Sequence, residues 1–445
     1  MLAYHHRLRR DSIFDGRIVK VKASRLAYIT LLVLSSANFI NFLDRQVIAA
    51  LAPILQNYWH LTDTQVGLLG TAFEVLYALA PVPIAVLSDR WLRRKVIALA
   101  MVVWSGAMAM SGAAVSYWTL LVGRAALGLG QAGYAPSALA WLSDVFPPTH
   151  RSRAMGFHDL GVILGSATGY ALGGVLGKLL GWRPVFYVAA LPGFILAVLV
   201  WLLSEPDRGQ SDCQALGVGP EAASPLGIPA TTIVKELLSV PTLLVVYVTG
   251  TLISFATGGL VYWMPSFVVR IHGFSESEAG FLVGVVTVLT GAAGVLSGGF
   301  LADWFLRRTP SGRLLIIGAS FVVGFPLALA AILVPDRTLF IVLAALAMYL
   351  FAFYSPCMGP LVHQVIRPSL RATATAFNLF IVHVLGYATA PTVVGWFSDQ
   401  TGNLRLGMVV ALLAALVGGL VGLWGTRFVG RDAQAVVTRL QAKVQ

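Results

Sequence analysis

One long apolar stretch of this 445-residue chain carries two amides, an acid and a base: Asn38, Asn41, Asp44 and Arg45. In a helix, Asn38, Asn41 and Arg45 fall within about 60° of one face, with Asp44 at its edge. Because an ionisable side chain is costly in hydrocarbon, such residues usually line an internal pathway. A guanidinium can hold a phosphate or carboxylate through two hydrogen bonds. We predict that Arg45 binds an anionic substrate and that Asp44 exchanges protons; a structural ion pair between helices is the alternative.

A second polar group lies in a later apolar stretch. Arg124 and Gln131 share one helical stripe there, and Tyr134 follows within a turn. We predict that all three contribute to substrate binding. The alternatives are outward snorkelling of Arg124 and ordinary packing of Tyr134.

Three further titratable residues in apolar stretches are candidates for proton coupling: Glu74, Asp159 and His383. Glu74 belongs to a stripe of small and polar residues, so we expect it to face protein or a cavity. Asp159 follows His158, and an imidazole titrates near neutral pH. Packing is the alternative for Glu74 and His383, and a water-filled vestibule is the alternative for His158 and Asp159.

The composition requires these stretches to lie in a membrane. Hydrophobic residues make up 57% of the chain, charged residues 11%, and the mean hydropathy is +0.80, more than a water-soluble domain can bury. Since a helix needs about 20 apolar residues to cross hydrocarbon, we predict an all-α integral membrane protein with twelve transmembrane helices. The predicted spans are residues 27–56, 64–88, 95–116, 118–145, 152–177, 184–203, 242–265, 277–302, 313–333, 337–359, 371–397 and 405–427.

The basic residues lie mainly on one side of these spans. Of 31 lysines and arginines, 24 are in the two tails, the central linker and the loops on the same side, and five are in the opposite loops. This asymmetry predicts a cell-membrane protein, as in a bacterial inner membrane, with both termini cytoplasmic. The net charge of +12 therefore indicates topology rather than nucleic-acid binding. Binding of anionic lipid by a basic tail is the alternative.

The chain divides into two similar halves. The predicted units are a cytoplasmic tail (1–25), a six-helix bundle (26–204), a cytoplasmic linker (205–236), a second six-helix bundle (237–427) and a C-terminal tail (428–445). Segments 85–94 and 299–308 match at an offset of 214 residues, and segments 148–151 and 368–371 at an offset of 220. Two parallel six-helix repeats resemble the architecture of the major facilitator superfamily.

The acids in the matching loops predict a gate. An aspartate at one helix end can accept the free N–H groups at the start of a neighbouring helix, while nearby arginines hold it in place. On this pattern Asp89 fastens the start of the eleventh span in one conformation and releases it in the other, and Asp303 does so for the fifth. The basic residues assigned to these gates are Arg90, Arg93, Arg151, Arg307 and Arg371. Simple anchoring of tight turns is the alternative.

Further runs resemble one family of that superfamily. They include residues 41–45, 67–73, 128–134, 165–170, 181–183, 262–265 and 383–386, and they cover nearly all of the chain outside the tails and linker. These runs resemble the Spinster family of sphingolipid-transporter-like proteins. The resemblance implies twelve spans, alternating access, and export or redistribution of lysophospholipid-like or sphingosine-phosphate-like amphiphiles, with proton coupling in bacterial members.

Two positions depart from the family pattern. Gln131 stands where the family usually has a glutamate, and Tyr387 stands where it usually has an aspartate. Because an amide does not titrate, the resemblance carries no proton step onto Gln131. Proton exchange at Asp44, alone or with Glu74, is the prediction that follows.

We therefore predict a secondary-active, alternating-access transporter of an amphiphilic anion such as a lysophospholipid, with protons as the coupling ion. The alternative within this fold is a carrier of a small organic anion, such as a sugar acid, or of a drug. The alternative from another class is a non-transporting membrane receptor or scaffold. The expected partners are the substrate and membrane lipids, and we expect a monomer without nucleic acid.

An enzyme is not expected. The sequence has no zinc-binding His-Glu-x-x-His, nucleophile elbow or phosphate loop. Its two cysteines, Cys213 and Cys357, provide no disulfide framework. We expect no cofactor and no metal.

Overall fold

The computed structural model describes residues 25–81, 83–84, 87, 91–206, 230–367 and 370–441, and these are helical with no β-strand among them. The helices are α1 (Arg25–Trp59), α2 (Asp63–Leu79), α3 (Arg93–Gly112), α4 (Tyr117–Ala132), α5 (Tyr134–Val145), α6 (Pro148–Leu180), α7 (Trp182–Leu202), α8 (Ala230–Ser239), α9 (Pro241–His272), α10 (Glu276–Leu306), α11 (Gly312–Leu333), α12 (Arg337–Phe351), α13 (Tyr354–Gln364), α14 (Arg371–Ile381), a π-helical segment (Val382–Tyr387), α15 (Ala390–Thr401) and α16 (Leu404–Gln441).

The predicted all-α membrane fold is confirmed. Ten helices of the described chain are long and apolar enough to cross a membrane. The second and fourth predicted spans are occupied by α2, which has 17 residues, and by the interrupted pair α4–α5. We number the crossings as spans 1 to 12, with α4–α5 as span 4, α12–α13 as span 10, and α14, the π segment and α15 as span 11. The end of the bundle that carries the linker is called the linker end, and the opposite end the far end.

Span 11 is not the continuous α-helix that the sequence predicts. Pro391 has no N–H to donate to the preceding turn, so regular α-helix ends before it. The N–H of Ala388 bonds to the carbonyl of His383, five residues back, at 2.9 Å. The carbonyl of Ala388, close to this break, accepts a 2.6 Å hydrogen bond from the Thr71 hydroxyl of span 2. A side chain of the first half thus bonds to the irregular backbone of span 11 in the second half.

Helical structure extends into the predicted linker and into the predicted C-terminal tail. The helix α8 covers the end of the predicted linker, and Glu236 on it pairs with Arg367 at 2.6 Å. The last helix, α16, continues through the predicted tail to Gln441. Asp432 in this extension accepts hydrogen bonds from the backbone N–H and the hydroxyl of Thr242, at 2.9 and 2.7 Å. The extension therefore fastens the start of span 7.

Spans 1 and 5 pack with their backbones in close contact. Four glycines spaced four residues apart on α6, the glycine stripe, lie directly against α1: Gly161, Gly165, Gly169 and Gly173. A methyl group placed on Gly165 would collide with the carbonyl oxygen of Phe39. Such contact needs residues without a Cβ, as in other membrane helix pairs. The stripe is therefore explained by packing.

The two halves meet at the far end. Span 2 packs on span 11, where Gly67 lies against the backbone of Pro391. Span 5 packs on the start of span 8, and the Ser277 hydroxyl donates to the carbonyl of Gly174 at 3.3 Å. These contacts close the far end between the halves.

Replacing Gly165 by alanine should destabilise the protein by about 1–3 kcal/mol, because the backbone of span 1 must move to admit the methyl group. Gly156 on the same helix is the matched control, since an added Cβ there meets open space. We expect Gly156→Ala to be neutral or slightly stabilising. Thermal unfolding of the purified variants measures both, and equal melting temperatures would contradict the close-packing assignment.

Candidate functional site

A cavity of about 360 Å³ lies between the two halves. Spans 1, 2, 4 and 5 line it from the first half, and spans 7 and 11 from the second. Its titratable and cationic lining side chains are Arg45, Glu74, Tyr77, Arg124, Tyr262, His383 and Tyr387. The structure therefore brings Arg45, Arg124, Glu74 and His383, predicted separately from the sequence, to one site.

Arg45 is held from one side and free on the other. Its Nε donates to the Gln131 side-chain oxygen at 3.1 Å, and Gln131 in turn donates to the carbonyl of Asn41 at 3.0 Å. The guanidinium carbon lies 3.8 Å from the ring centroid of Tyr77, a cation–π contact. Its Nη2 makes no hydrogen bond within the described chain. This buried N–H group is a hydrogen-bond donor that no described residue uses.

Arg124 lies in the interior of the protein, which excludes outward snorkelling. The residue is 1% exposed, and its Nε donates to the carbonyl of Leu69 at 3.4 Å. Its guanidinium carbon is 5.1 Å from the Phe73 ring centroid, and that of Arg45 is also 5.1 Å from this ring. Nη1 of Arg124 makes no hydrogen bond to a described residue. Phe73 thus has two arginines with unused donors beside it.

Glu74 and His383 join the two halves across the cavity. Oε2 of Glu74 lies 3.4 Å from Nδ1 of His383. The His383 ring stacks on Tyr387, with centroids 5.1 Å apart, and meets the edge of Tyr77 at 5.6 Å. His383 and Tyr387 both belong to the π-helical segment. The irregular part of span 11 therefore presents an imidazole and a phenol to the same cavity.

Asp44 and Arg45 point into different surroundings. Arg45 lines the cavity, whereas Asp44 is fully buried and its two carboxylate oxygens make no hydrogen bond with the described residues. The charged neighbour of Asp44 is Arg124. No ion pair between Asp44 and Arg45 occurs in the described structure. Asp44 therefore lies behind the cavity wall, close to Arg124.

The remaining predicted ligands lie outside the cavity lining. Asn41 and Gln131 support Arg45, as described above. Asn38 donates to the carbonyl of His158 at 3.0 Å, and Nε2 of His158 lies 3.0 Å from the Tyr134 hydroxyl. Tyr134 also donates to the carbonyl of Leu34. Asn38 and Tyr134 thus belong to a buried cluster around His158, nearer the linker end than Arg45 along the same helices.

Asp159 forms the exposed edge of that cluster. Its carboxylate is 67% exposed and lies 3.2 Å from Nδ1 of His158. Neither residue lines the cavity that contains Arg45. The structure therefore places Asp159 apart from Glu74 and His383, at a surface toward the linker end.

The structure describes some of the residues assigned to the predicted gates. Asp89 and Arg90 lie outside the described residues. Arg93 pairs with Asp144 of span 4, and Nη2 of Arg151 donates to the carbonyl of Ser143 at 2.8 Å.

In the second half, Asp303 is 73% exposed and lies 3.9 Å from Arg313 of the same half. Arg307 and Arg371 are exposed at the linker end. In this conformation the described ionic contacts of the gate residues stay within one half.

Glu205 is a linker-end residue that the sequence analysis missed. Its two carboxylate oxygens accept the backbone N–H groups of Arg93 and Arg94 at 2.9 and 3.1 Å, at the start of α3. This is the chemistry predicted for Asp89, an acid on a helix N-terminus. The sequence does not indicate this contact, because Glu205 lies at the edge of the linker, far from α3 in sequence.

A network at the far end was also missed. Asp399 at the end of span 11 accepts the N–H groups of Asp63 and Thr64, both at 2.8 Å, and the Thr64 hydroxyl at 2.5 Å. Arg270 of span 7 pairs with Asp63 at 2.8 Å. An acid of the second half therefore caps the first turn of α2 in the first half. The capping-box sequence from Thr62 to Gln65 indicates the helix start, but not its partner.

A second cavity, of about 260 Å³, lies mainly in the second half, with Tyr170 of span 5 also in its wall. Its lining is mainly aliphatic and aromatic side chains from spans 7 to 10. It shares Val261 and Tyr387 with the cavity that contains Arg45. A charged cavity and an apolar cavity therefore adjoin at a common wall.

Asp399→Asn should weaken closure of the far end, because the amide loses the charge that stabilises the N-terminus of α2. Spin labels at the exposed far-end residues Val115 and Leu333 would report the separation of the halves. We expect the variant to populate longer distances. Asp336→Asn is the matched control, since Asp336 caps α12 within one half. An unchanged distance distribution for Asp399→Asn would contradict a role in closure.

Comparison with known proteins agrees with this architecture. The family model described as "Major Facilitator Superfamily" matches residues 34–391. An MFS-type efflux pump of Mycolicibacterium smegmatis is 30% identical over 403 residues, covering 88% of this chain and 90% of the relative. A probable sphingolipid transporter, spinster homolog 1 of Arabidopsis thaliana, is 26% identical and covers 87% of each chain. A crystal structure of a bacterial homolog of the human lysosomal transporter Spinster, inward-facing and unoccupied, is 25% identical, has a TM-score of 0.82 and covers 92% of this chain and 99% of its own.

Proposed function

This chain belongs to the major facilitator superfamily, as a transporter of Spinster type rather than an enzyme, and on that premise we propose that it carries an amphiphilic anion, such as a lysophospholipid, in a proton-coupled cycle. The observation that carries this proposal is the junction of the charged and the apolar cavity at Val261 and Tyr387. The unused donors of Arg45 and Arg124 suit a phosphate or carboxylate headgroup. The adjoining apolar cavity suits an acyl chain.

The names of two relatives bear on the substrate and on the direction of transport. The Arabidopsis relative carries sphingolipid in its name, whereas the mycobacterial relative is named as an efflux pump. We propose that this chain shares the lipid cargo named for the first and the outward direction named for the second. We propose that the conformation with a closed far end is the inward-facing state, because the positive-inside asymmetry assigns the linker end to the cytoplasm.

Charge balance supports proton coupling. The site contains two bases, Arg45 and Arg124, and two acids, Asp44 and Glu74. When both acids are ionised, they balance the two arginines, and an anionic substrate adds one negative charge in excess. Since unbalanced charge is costly in a desolvated site, proton uptake by Glu74, Asp44 or His383 would restore the balance. The proton and the anion would then load together.

Asp44→Asn and Glu74→Gln should each reduce or abolish the dependence of transport on a pH gradient, because an amide takes up no proton. Transport in proteoliposomes with and without an imposed gradient measures this dependence. Asp159→Asn is the control at a residue outside the cavity lining, and we expect it to retain the response to the gradient. Full gradient dependence in both site variants would remove Asp44 and Glu74 from the coupling step.

Filling the apolar cavity should separate recognition of the tail from recognition of the headgroup. Gly291 lines this cavity, and a Cβ there meets open space, so Gly291→Phe can occupy the cavity without a backbone clash. We expect affinity for a long-chain lysophospholipid to fall by about tenfold, as contacts to two or three methylenes are lost. Binding of glycerophosphate, which has no tail, should be unchanged, and Gly291→Ala should resemble the wild type.

Binding assays on the purified protein decide between the two carrier classes. A lysophospholipid affinity that Gly291→Phe leaves unchanged would contradict the amphiphile proposal. Tight binding of a sugar acid, with no binding of the lysophospholipid, would instead assign a small organic anion as the substrate.

A further inference from the structure

We propose that a groove between the linker ends of spans 1 and 5 binds one anionic phospholipid of the surrounding bilayer leaflet. The groove has a volume of about 410 Å³. Tyr28 and Leu32 line it on α1, Arg153 and Phe157 line it on α6, and buried Phe146 also contributes to its wall. It shares no lining residue with either cavity described above. The proposal is independent of the transported substrate.

The groove faces away from the transport cavity. Ser166 on α6 and Arg45 on α1 line that cavity. Arg153 precedes Ser166 by 13 positions and Leu32 precedes Arg45 by 13, and at 100° per residue each lies about 140° around its helix from the cavity side. Because the bundle interior holds the cavity, these outer faces contact the bilayer. The molecules that reach the groove are therefore lipids.

The groove has a cationic end at the membrane surface and an apolar part deeper in the membrane. A phospholipid has the same arrangement of a charged headgroup and apolar chains. Arg153 lies near the start of α6, at the linker end, and Phe157, Leu160 and Leu164 continue the same face, each 49% exposed. Arg153 to Leu164 covers 11 positions, a rise of about 16 Å. On α1, exposed Tyr28 lies closer to the linker end than exposed Leu32. A cation at the membrane surface thus leads into an apolar track that extends into the hydrocarbon.

Arg153 is available to a lipid phosphate. At the same end of the bundle, Arg93, Arg313 and Arg367 pair with carboxylates of the protein. Within the described residues, Arg153 has no such carboxylate partner. A guanidinium binds a phosphate through two hydrogen bonds, and a basic residue beside the cytoplasmic leaflet favours anionic lipid. A net-negative headgroup is therefore expected to bind better than a zwitterionic one.

The test is thermal unfolding of the purified full-length protein in mixed micelles with palmitoyl-oleoyl phosphatidylglycerol or phosphatidylcholine. A lipid that binds the native state raises the melting temperature. We expect the phosphatidylglycerol lipid to give the larger rise, and Arg153→Gln to lose more than half of this difference. Phe157→Ala should lower the stabilisation by both lipids equally, because it removes contact with the chain rather than the headgroup.

Arg308→Gln is the matched control for net charge. Arg308 lies at the same end in the other half, where it stacks on Trp304 at 3.5 Å. We expect this variant to keep the full difference between the two lipids. The proposal is overturned if Arg153→Gln responds to both lipids as the wild type does, if Arg308→Gln loses as much as Arg153→Gln, or if neither lipid stabilises the wild-type protein.

Discussion

The balance of charge inside a desolvated cavity is the constraint on which the site depends. Arg45 and Arg124 must stay ionised to recognise an anion, yet neither can be left without compensation. The structure supplies this in two ways. Glu74 provides opposite charge, and the faces of Phe73 and Tyr77 provide attraction that uses no hydrogen-bond donor of the guanidinium groups. The arginines are stabilised while some of their N–H groups remain available.

The second recurring interaction is an acid on the N-terminus of a neighbouring helix. Asp399 does this across the two halves at the far end, and Glu205 does it within the first half at the linker end. The interaction is local, because the dipole field fades within the first turn. A small separation of spans 2 and 11 would therefore break the far-end contact completely. This sharp dependence of the interaction on distance suits a protein that must hold one end closed and then release it.

The sequence predicts the fold well because apolar length and charge asymmetry are properties of the chain alone. It also identifies most charged side chains of the site, since an ionisable residue such as Arg124 or Glu74 stands out against an apolar background. Burial was harder to predict: Asn38 and Tyr134 share the apolar context of Arg45, but they contact His158 instead of the cavity. Partners between distant spans, such as Asp399 with α2, leave no periodic signal.

The internal repeat also shows that sequence position alone does not predict the partners of a buried polar residue. His158 and Asn378 occupy matching positions at the offset of 220 residues, and both are buried. Both repeats thus have a buried polar side chain at this position. The chemistry of each side chain depends on its neighbours. In the first half these neighbours are Tyr134 and Asp159, which give His158 contacts at both ring nitrogens.

The π-helical segment of span 11 has a consequence for which changes of chain length this protein could tolerate. A π segment holds one more residue than the α-helical turn it replaces. Deleting a single residue from Val382–Tyr387 would let the span continue as ordinary α-helix, so the chain would still cross the membrane. Because the lost residue is the one that the π turn holds in excess, the part beyond the deletion would keep nearly the same orientation relative to the part before it. A single deletion in the regular turns of α15 ahead of Asp399 would instead turn Asp399 by about 100° away from α2. Span 11 should therefore tolerate a change of length at the π segment better than within its α-helical parts.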